Sequence, residues 1–194
     1  KGEIYIDNKE IENYTQKEKA KKIAFLRQSE TQCWAFTVFE TVLMGRYIHS
    51  ASYLPYSKED KAIVLEILDT LGMNHLKNAN TNKISGGELQ KVFIARSLCQ
   101  NTDILLLDEP FTFLDIEYQS NLIKLIKKIA KEKNKTIVLS VHDLNLCPLL
   151  SEEILLLDKK NTIFGSIEKV FQPEIFDRVY KTEFGIFEHP VLKI

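Results

Sequence analysis

The segment Ile104-Leu105-Leu106-Leu107-Asp108-Glu109-Pro110 is predicted to be a buried strand that ends in two adjacent carboxylates. A continuous apolar run is typical of a strand with both faces covered, as in a parallel sheet. Open α/β sheets bind their ligands at the carboxyl ends of the strands. There Asp108 can hold Mg²⁺, and Glu109 can polarise a water for attack on a phosphate. A helix-capping turn is the alternative interpretation, since it also favours these residue types.

Strands and helices alternate on both sides of this segment. Ile23–Leu26 is a short apolar run before it, and residues 136–141 form a β-branched apolar run after it. This alternation predicts an α/β fold with a parallel sheet covered on its faces. The remaining predictions are helices within residues 37–71 and at 87–98, 115–131, 166–171 and 173–180, and hairpins turning at Asp7-Asn8 and at residues 158–161.

The charge and the cysteines exclude several classes of protein. Lys and Arg number 26 and Asp and Glu 27, so the net charge is −1 and exerts no general attraction on nucleic acid or anionic lipid. No apolar run approaches the roughly 20 residues of a membrane span, so we expect membrane contact only through a protein partner. Cys33, Cys99 and Cys147 are widely spaced and odd in number, which favours reduced thiols in a cytosolic protein.

A second candidate site is Ser85-Gly86-Gly87-Glu88, at the predicted start of a helix. The first N–H groups of a helix have no intrahelical acceptor, and the helix dipole adds to them, so such a site suits a phosphate. The two glycines allow a phosphate to approach the backbone closely. An ordinary loop and N-cap is the alternative, because a lone Ser-Gly-Gly is weak evidence.

Three further polar residues follow predicted strands or the carboxylate pair. Gln28 comes shortly after Ile23–Leu26 and can reach metal-bound water, and His142 follows the strand at 136–141 and can hydrogen-bond a terminal phosphate. Asp115 lies seven residues after Asp108, where it can also be the N-cap of the next helix. Each of these residues alone has a structural explanation.

Taken together, the order and spacing of these residues resemble the ATP-binding-cassette (ABC) ATPase family, motif by motif, over essentially the whole chain. The resemblance implies a P-loop NTPase-type (RecA-like) fold, an α/β parallel sheet core with an inserted helical subdomain. It predicts the core sheet at residues 1–28 and 99–165. The helical subdomain with the signature loop is predicted at 29–98, and the C-terminal helices at 166–194.

The resemblance also implies a role for each matching residue. Asp108 matches the Walker B aspartate, and Gln28 matches the Q-loop glutamine, which together hold Mg²⁺ in the family. Glu109 matches the catalytic glutamate and His142 the switch histidine, so that Glu109, His142 and Gln28 are the predicted catalytic residues. The implied cofactors are ATP and Mg²⁺, and the implied reaction is ATP hydrolysis.

Ser85–Glu88 matches the family signature loop, which binds ATP held by a second subunit, and Asp115 matches the D-loop aspartate. Two departures stand out. The signature usually begins with Leu and ends with Gln, where this chain has Ile84 and Glu88. The D-loop usually reads Ser-Ala-Leu-Asp, where this chain has the bulkier Thr112-Phe113-Leu114-Asp115.

The family's Walker A loop, G-x-x-x-x-G-K-[ST], is not found, because none of the seven glycines begins such a loop. That loop grips the β- and γ-phosphates with its backbone amides and its lysine. We expect it to precede Lys1, together with the aromatic residue that stacks on adenine, since the chain opens on a predicted core strand. The 194 residues alone are then expected to be inactive. A degenerate cassette that completes a partner's site is the alternative.

The segment from Phe36 to Tyr47, with its Thr-Val and Gly-Arg-Tyr runs, is similar to the ATPases of iron–siderophore, haem and cobalamin importers. The tail Val179-Tyr180 with Phe184-Gly185 is also similar to that branch. The implied partners are a second ABC ATPase subunit in a homodimer, an integral membrane permease and, indirectly, a substrate-binding protein, with no nucleic acid. The implied location is cytoplasmic, at the inner face of the membrane.

Two other classes remain open at this point. One is an ABC ATPase without transport, such as an iron–sulfur assembly ATPase; a DNA-repair ATPase is disfavoured by the absence of a heptad run between Gln28 and Ser85. The other is a catalytically silent cassette, for which an intact Glu109 and His142 have no chemical need. Co-purification with a membrane protein separates transport from assembly.

Overall fold

The computed structural model describes residues 2–28, 35–49, 56–132, 134–157, 162–181 and 185. The predicted turn at 158–161, Cys33 and Phe184 lie outside the described residues. The chain divides into two compact units, Lys1–Ser140 and Val141–Ile194. Among the residues that the structure describes, no helix combines the length and apolar composition that a membrane span requires.

Within its described residues, the first unit contains a two-stranded hairpin, a three-stranded sheet and five α-helices. Its strands are β1 (Tyr5–Ile6), β2 (Lys9–Glu10), β3 (Ile23–Leu26), β4 (Ile104–Leu107) and β5 (Thr136–Leu139). Its helices are α1 (Gln16–Lys22), α2 (Val38–Leu43), α3 (Lys58–Thr70), α4 (Gly86–Cys99) and α5 (Ile116–Glu132). Short 3₁₀ turns lie at Ile11–Asn13, Met44–His49, Asn74–Leu76 and Thr81–Lys83.

The three-stranded sheet is parallel, with the strand order β3-β4-β5. Leu26 pairs with Leu107, and Leu107 pairs with Leu139, so the three strands end at the same level. The predicted parallel sheet is therefore confirmed. The predicted cover of both faces is wrong, because Phe25 of β3 and Val138 of β5 are 50% and 57% exposed on one face. Residues that follow the three strands must meet at a single edge.

One face of this sheet forms the core of the first unit. Ala24 and Leu26 of β3 are completely buried, and Leu107 of β4 is 2% exposed on the same face. Helix α4 contacts β3, α2 and α3, and its central residues Val92 and Ile94 are also completely buried. Burial of each Val, Leu or Ile side chain among these stabilises the fold by about 1.5–3 kcal/mol. This packing places α4 firmly against the strands.

Four helices, α1 to α4, begin with the same local motif, a capping box. In each, a Ser or Thr hydroxyl accepts the N–H of the residue three positions later, whose carboxylate accepts the first residue's N–H. The pairs are Thr15 with Glu18, Thr37 with Glu40, Ser57 with Asp60, and Ser85 with Glu88.

The prediction of helix within residues 37–71 is confirmed by two separate helices. Helix α2 ends at Leu43 and gives way to the 3₁₀ turn Met44–His49, and α3 begins only at Lys58, after its N-cap Ser57. The predicted end of α3 is confirmed, since Gly72 has a φ of 67°, the left-handed conformation that glycine tolerates.

A buried ion pair ties the 3₁₀ turn to two helices. Arg46 Nε lies 2.9 Å from Asp60 Oδ1, and Arg46 Nη1 donates to the Cys99 carbonyl oxygen at 3.0 Å. Burial raises the pKa of Asp60, but hydrogen bonds from Arg46 and Ser57 outweigh burial and hold that pKa below its ordinary value of 3.8. Burial also raises the pKa of the Cys99 thiol to about 12, which makes it an unreactive thiol.

The second unit is built on an antiparallel hairpin. Leu156 of the hairpin packs with Val170 and Phe176 in a small apolar cluster, where the rings of Phe171 and Phe176 meet edge-to-face at 5.0 Å. The predicted hairpin and the two closing helices are present. The elements of this unit are the 3₁₀ turn Leu144–Leu146, α6 (Cys147–Leu150), β6 (Glu153–Leu157), β7 (Thr162–Ser166), α7 (Ile167–Val170) and α8 (Pro173–Tyr180).

Candidate functional site

The carboxyl edge of the sheet carries the first candidate site. Backbone hydrogen bonds continue past the strand ends, because the Asp108 N–H donates to the Leu26 carbonyl at 3.0 Å and the Ser140 N–H donates to the Leu107 carbonyl at 2.9 Å. These two bonds hold Asp108 and Ser140 at the same level of the sheet. Asp108 and its neighbour Glu109 are both half-buried, so their carboxylates remain accessible to a ligand.

Gln28, two residues beyond the end of β3, reaches across this edge. Its Nε2 donates to Glu109 Oε1 at 2.8 Å. The two residues lie 81 positions apart in the sequence, and only the pairing of β3 with β4 brings them together. The structure therefore places Gln28, Asp108 and Glu109, three of the predicted site residues, in one cluster.

Glu109 has an unusual backbone conformation, with a φ of 49°. A non-glycine residue in this left-handed region is uncommon and costs about 1–3 kcal/mol, so surrounding contacts must hold it in place. The Glu109 N–H donates to Ser140 Oγ at 2.9 Å, and Thr112 Oγ1 donates to Glu109 Oε2 at 3.3 Å. Ser140 Oγ in turn donates to Asp108 Oδ1 at 2.6 Å. Ser140 and Thr112 were not predicted from the sequence.

The oxygen groups at this edge fit Mg²⁺. A protein usually supplies this ion with one or two carboxylates and leaves the remaining positions to water and substrate phosphates. Asp108 provides a carboxylate, and Gln28 provides an amide oxygen nearby. In the part of the chain that the structure describes, no three or more His, Cys, Asp or Glu residues cluster as a metal site.

The start of α4 forms the second candidate site. Ser85 accepts the Glu88 N–H at 3.3 Å, and Glu88 Oε2 accepts the Ser85 N–H at 2.8 Å. Hydrogen bonds from the Ser85 side chain and backbone hold the pKa of Glu88 below its ordinary value. Gly86 has open space around its Cα, with no atom within 4 Å of an added Cβ. The first turn of α4 is therefore ordered by its own side chains and sterically open at Gly86.

Contacts link the start of α4 to the segment after Glu109. A Cβ added at Gly87 would lie 2.9 Å from the Phe113 carbonyl oxygen, so only glycine allows this approach. Lys91 Nζ lies 3.0 Å from Asp115 Oδ2 and 4.1 Å from the ring centre of Tyr118. The two candidate sites of the first unit are thus joined through Gly87 and Lys91.

Asp115 has the geometry of an N-cap, which was the structural alternative for it. Its Oδ1 accepts the Tyr118 N–H at 2.8 Å at the start of α5. This bond, followed by the contact with Lys91, holds the pKa of Asp115 below its ordinary value. Phe113, in the same segment, is 85% exposed.

His142 belongs to the second unit and is exposed. It precedes Asp143, whose Oδ1 accepts the Asn145 N–H at 2.9 Å and begins the 3₁₀ turn Leu144–Leu146. The predicted contact of His142 with a terminal phosphate stays a prediction.

Comparison with known proteins identifies the family of the chain. The sequence profile described as ABC transporter matches residues 1–112. The ferric enterobactin transport ATP-binding protein FepC of Escherichia coli K12 is 35% identical over 191 residues, which cover 98% of this chain and 70% of FepC. The iron(3+)-hydroxamate import ATP-binding protein FhuC of Bacillus subtilis 168 is 34% identical over 191 residues, which cover 97% of this chain and 71% of FhuC.

Solved structures agree with this placement. The ATP-binding cassette MJ0796, solved as a dimer in a post-hydrolysis state with ADP and Pi, superimposes with a TM-score of 0.76. It is 29% identical, and the match covers 86% of this chain and 74% of that cassette. The P-loop NTPase-type fold predicted from the sequence is confirmed by this similarity. The chain belongs to the ABC transporter family of ATP-binding subunits.

Proposed function

We propose that the chain is the ATP-hydrolysing subunit of a membrane importer for ferric siderophores or similar metal chelates. The observation that carries the hydrolytic part is the cluster of Gln28, Asp108 and Glu109 at the carboxyl edge of the parallel sheet, where Gln28 contacts Glu109 at 2.8 Å. The transport part rests on the ATP-binding proteins FepC and FhuC, whose names assign them to ferric enterobactin and iron(3+)-hydroxamate.

The cluster supports a division of labour between its two carboxylates. Asp108, held by Ser140 at one oxygen, binds Mg²⁺ through the other, directly or through water. Held by Asp108, Mg²⁺ would supply positive charge that offsets the charge developing on the phosphates of ATP. Glu109 accepts a hydrogen bond from the attacking water and orients it toward the γ-phosphate. Gln28 keeps Glu109 in place through its Nε2, and its amide oxygen would be available to water on a bound Mg²⁺.

The start of α4 supplies the phosphate contact for a second copy of the subunit. Helix α4 has 14 residues, and its first-turn N–H groups and dipole attract an anion. Gly86 leaves space for a phosphate to approach the backbone. In this arrangement Ser85–Glu88 of one subunit closes on ATP held by the other, and the D-loop at Asp115 lies next to this contact. The dimeric cassette MJ0796 supports such a pair.

Mixed dimers of the full-length subunit test this arrangement. Glu109→Gln and Ser85→Arg on different chains leave one complete site, because both changes fall in the other site. The same two changes on one chain damage both sites. We expect hydrolysis from the first dimer and none from the second. Hydrolysis from the second dimer and none from the first would show that Ser85 and Glu109 serve the same chain's nucleotide.

The remaining partners are a permease in the membrane and, through it, a substrate-binding protein, with the subunit at the cytoplasmic face. Reconstitution of the full-length subunit with its permease in lipid vesicles tests this role. We expect ATP-dependent uptake of a ferric siderophore that requires the matching binding protein. ATPase activity without co-purification of any membrane protein would instead favour an assembly ATPase.

A further inference from the structure

The hydroxyl of Ser140 lies between the two residues of the carboxylate pair. Ser140 Oγ donates to Asp108 Oδ1 at 2.6 Å and accepts the Glu109 N–H at 2.9 Å. The backbone of Ser140 is fixed as well, since its N–H donates to the Leu107 carbonyl at 2.9 Å. One serine at the end of β5 therefore fixes the side chain of the first carboxylate and the backbone of the second.

Both contacts matter for geometry. Glu109 has a φ of 49°, which a non-glycine residue adopts only when its surroundings hold it there. The bond from its N–H to Ser140 is such a contact. The bond to Asp108 Oδ1 orients the carboxylate plane and thereby directs the second oxygen, Oδ2. The two contacts need a side chain that both donates and accepts, which the serine hydroxyl does with one atom and an apolar side chain cannot do.

We propose that Ser140 is a positioning residue that sets the Asp108 and Glu109 carboxylates relative to each other for hydrolysis. The inference rests on the proposed ATPase function. Ser140 acts through its neighbours, Asp108 and Glu109. Each of the three strands is then followed by a residue of the site: β3 by Gln28, β4 by Asp108 and β5 by Ser140.

Steady-state kinetics of the full-length subunit, assembled with its permease, give the first test. Loss of a hydrogen bond to a charged group corresponds to about a tenfold change in rate, so Ser140→Ala should lower kcat about tenfold. KM for ATP should change less than about twofold. Ser140→Thr retains the hydroxyl and should keep most of the activity. Ser97→Ala is the matched control, because Ser97 Oγ donates only within α4, to the Phe93 carbonyl at 3.0 Å.

Hydrogen exchange of the Glu109 amide, followed by NMR on the nucleotide-free protein, gives a second readout that needs no hydrolysis. The Glu109 N–H should exchange about tenfold faster in Ser140→Ala than in wild type, and at the wild-type rate in Ser140→Thr. Amides in the middle of α4 should be unchanged in both variants, which excludes general unfolding.

The outcomes distinguish failure of the positioning role of Ser140 from failure of the proposed ATPase function. Full activity of Ser140→Ala, or unchanged exchange at Glu109, overturns the positioning role and leaves the ATPase proposal intact. Equal losses in Ser140→Ala and Ser140→Thr overturn it too, since they show that the site needs only the size of serine. A wild-type subunit that does not hydrolyse ATP refutes the proposed function itself.

Discussion

The start of α4 and the carboxyl edge of the sheet are held together in different ways. At the start of α4, Ser85 and Glu88 lie three residues apart and bond to each other's backbone. At the sheet edge, Gln28 and Ser140 reach Glu109 from 81 and 31 residues away. The first arrangement needs one helical turn, whereas the second needs three strands in register. Damage to strand pairing should therefore disturb the carboxylates more than the helix start.

The capping box at Ser85 also shows that a local motif cannot by itself indicate a phosphate site. The same box begins α1, α2 and α3, where no phosphate contact is proposed. What distinguishes α4 is the pair of glycines that follows its cap and the contact of Gly87 with the segment at Phe113. Function at the start of α4 therefore depends on the glycines and on the contact with the Phe113 segment. Substitutions in both regions test how much each contact contributes to stability and activity.

The largest effect on stability is expected at Asp60, which belongs to a local capping box and also to a long-range ion pair. Asp60→Asn leaves Arg46 buried without its charge partner, at a cost of about 3 kcal/mol in the free energy of unfolding. Glu59→Gln, an exposed neighbour in the same helical turn, should cost less than about 0.5 kcal/mol. Urea unfolding of both variants measures the difference. Equal losses would show that the ion pair contributes nothing.

The same pair predicts a pH dependence. The pKa of Asp60 is lowered in the folded protein, so its contribution is complete above the ordinary value of 3.8 and disappears as the pH falls through the lowered pKa. The stability difference between wild type and Asp60→Asn should be constant near neutral pH and shrink below pH 3.8. A difference that grows on acidification would contradict this sign.

A smaller effect is expected where the two sites touch. Gly87→Ala places a Cβ 2.9 Å from the Phe113 carbonyl oxygen, so the backbone must move, at a cost of about 1–3 kcal/mol. Gly86→Ala meets no atom within 4 Å and should keep or slightly raise stability, since alanine favours a helix. Denaturant unfolding compares them. Equal stability would show that α4 and the Phe113 segment are not in firm contact.

The smallest effect on stability is expected at the capping boxes, where a comparison of two boxes separates loss of stability from loss of hydrolysis. Ser85→Ala and Thr15→Ala each remove one capping box, and each should cost about 1 kcal/mol. Only Ser85→Ala should lower ATP hydrolysis by the full-length subunit, because only that box lies at the proposed phosphate site. A similar loss of hydrolysis in Thr15→Ala would mean that destabilisation alone explains the effect.

The contrast between the two sites also explains which features the sequence could predict. The pattern Ser-x-x-Glu is visible in the sequence, so the cap at Ser85 was predictable. The apolar runs of β3, β4 and β5 predicted a parallel sheet. Such a sheet places Gln28 at the same carboxyl edge as Asp108 and Glu109. The bond from Gln28 to Glu109 was not predictable, since it depends on the register.

Three features of the structure, Ser140, Thr112 and helix α1, had a weak sequence signal or none. Ser140 and Thr112 are ordinary hydroxyl residues, common after strands and in turns, and nothing in their spacing marks them. Helix α1 was missed because Gln16–Lys22 has no buried residue and so no apolar periodicity. Its signal was the capping box of Thr15 with Glu18. The division into core sheet and helical subdomain stays a prediction.

Phosphate release by the full-length subunit, compared between wild type and Glu109→Gln, tests the central claim most directly. Glutamine keeps the size of the side chain but removes the charge that polarises the attacking water. We predict a loss of about 10²- to 10⁴-fold in kcat, with nucleotide-dependent dimerisation retained. Glu132→Gln, at the exposed far end of α5, should keep the wild-type rate. Wild-type turnover in Glu109→Gln would contradict the assignment of hydrolysis to the carboxyl edge of this sheet.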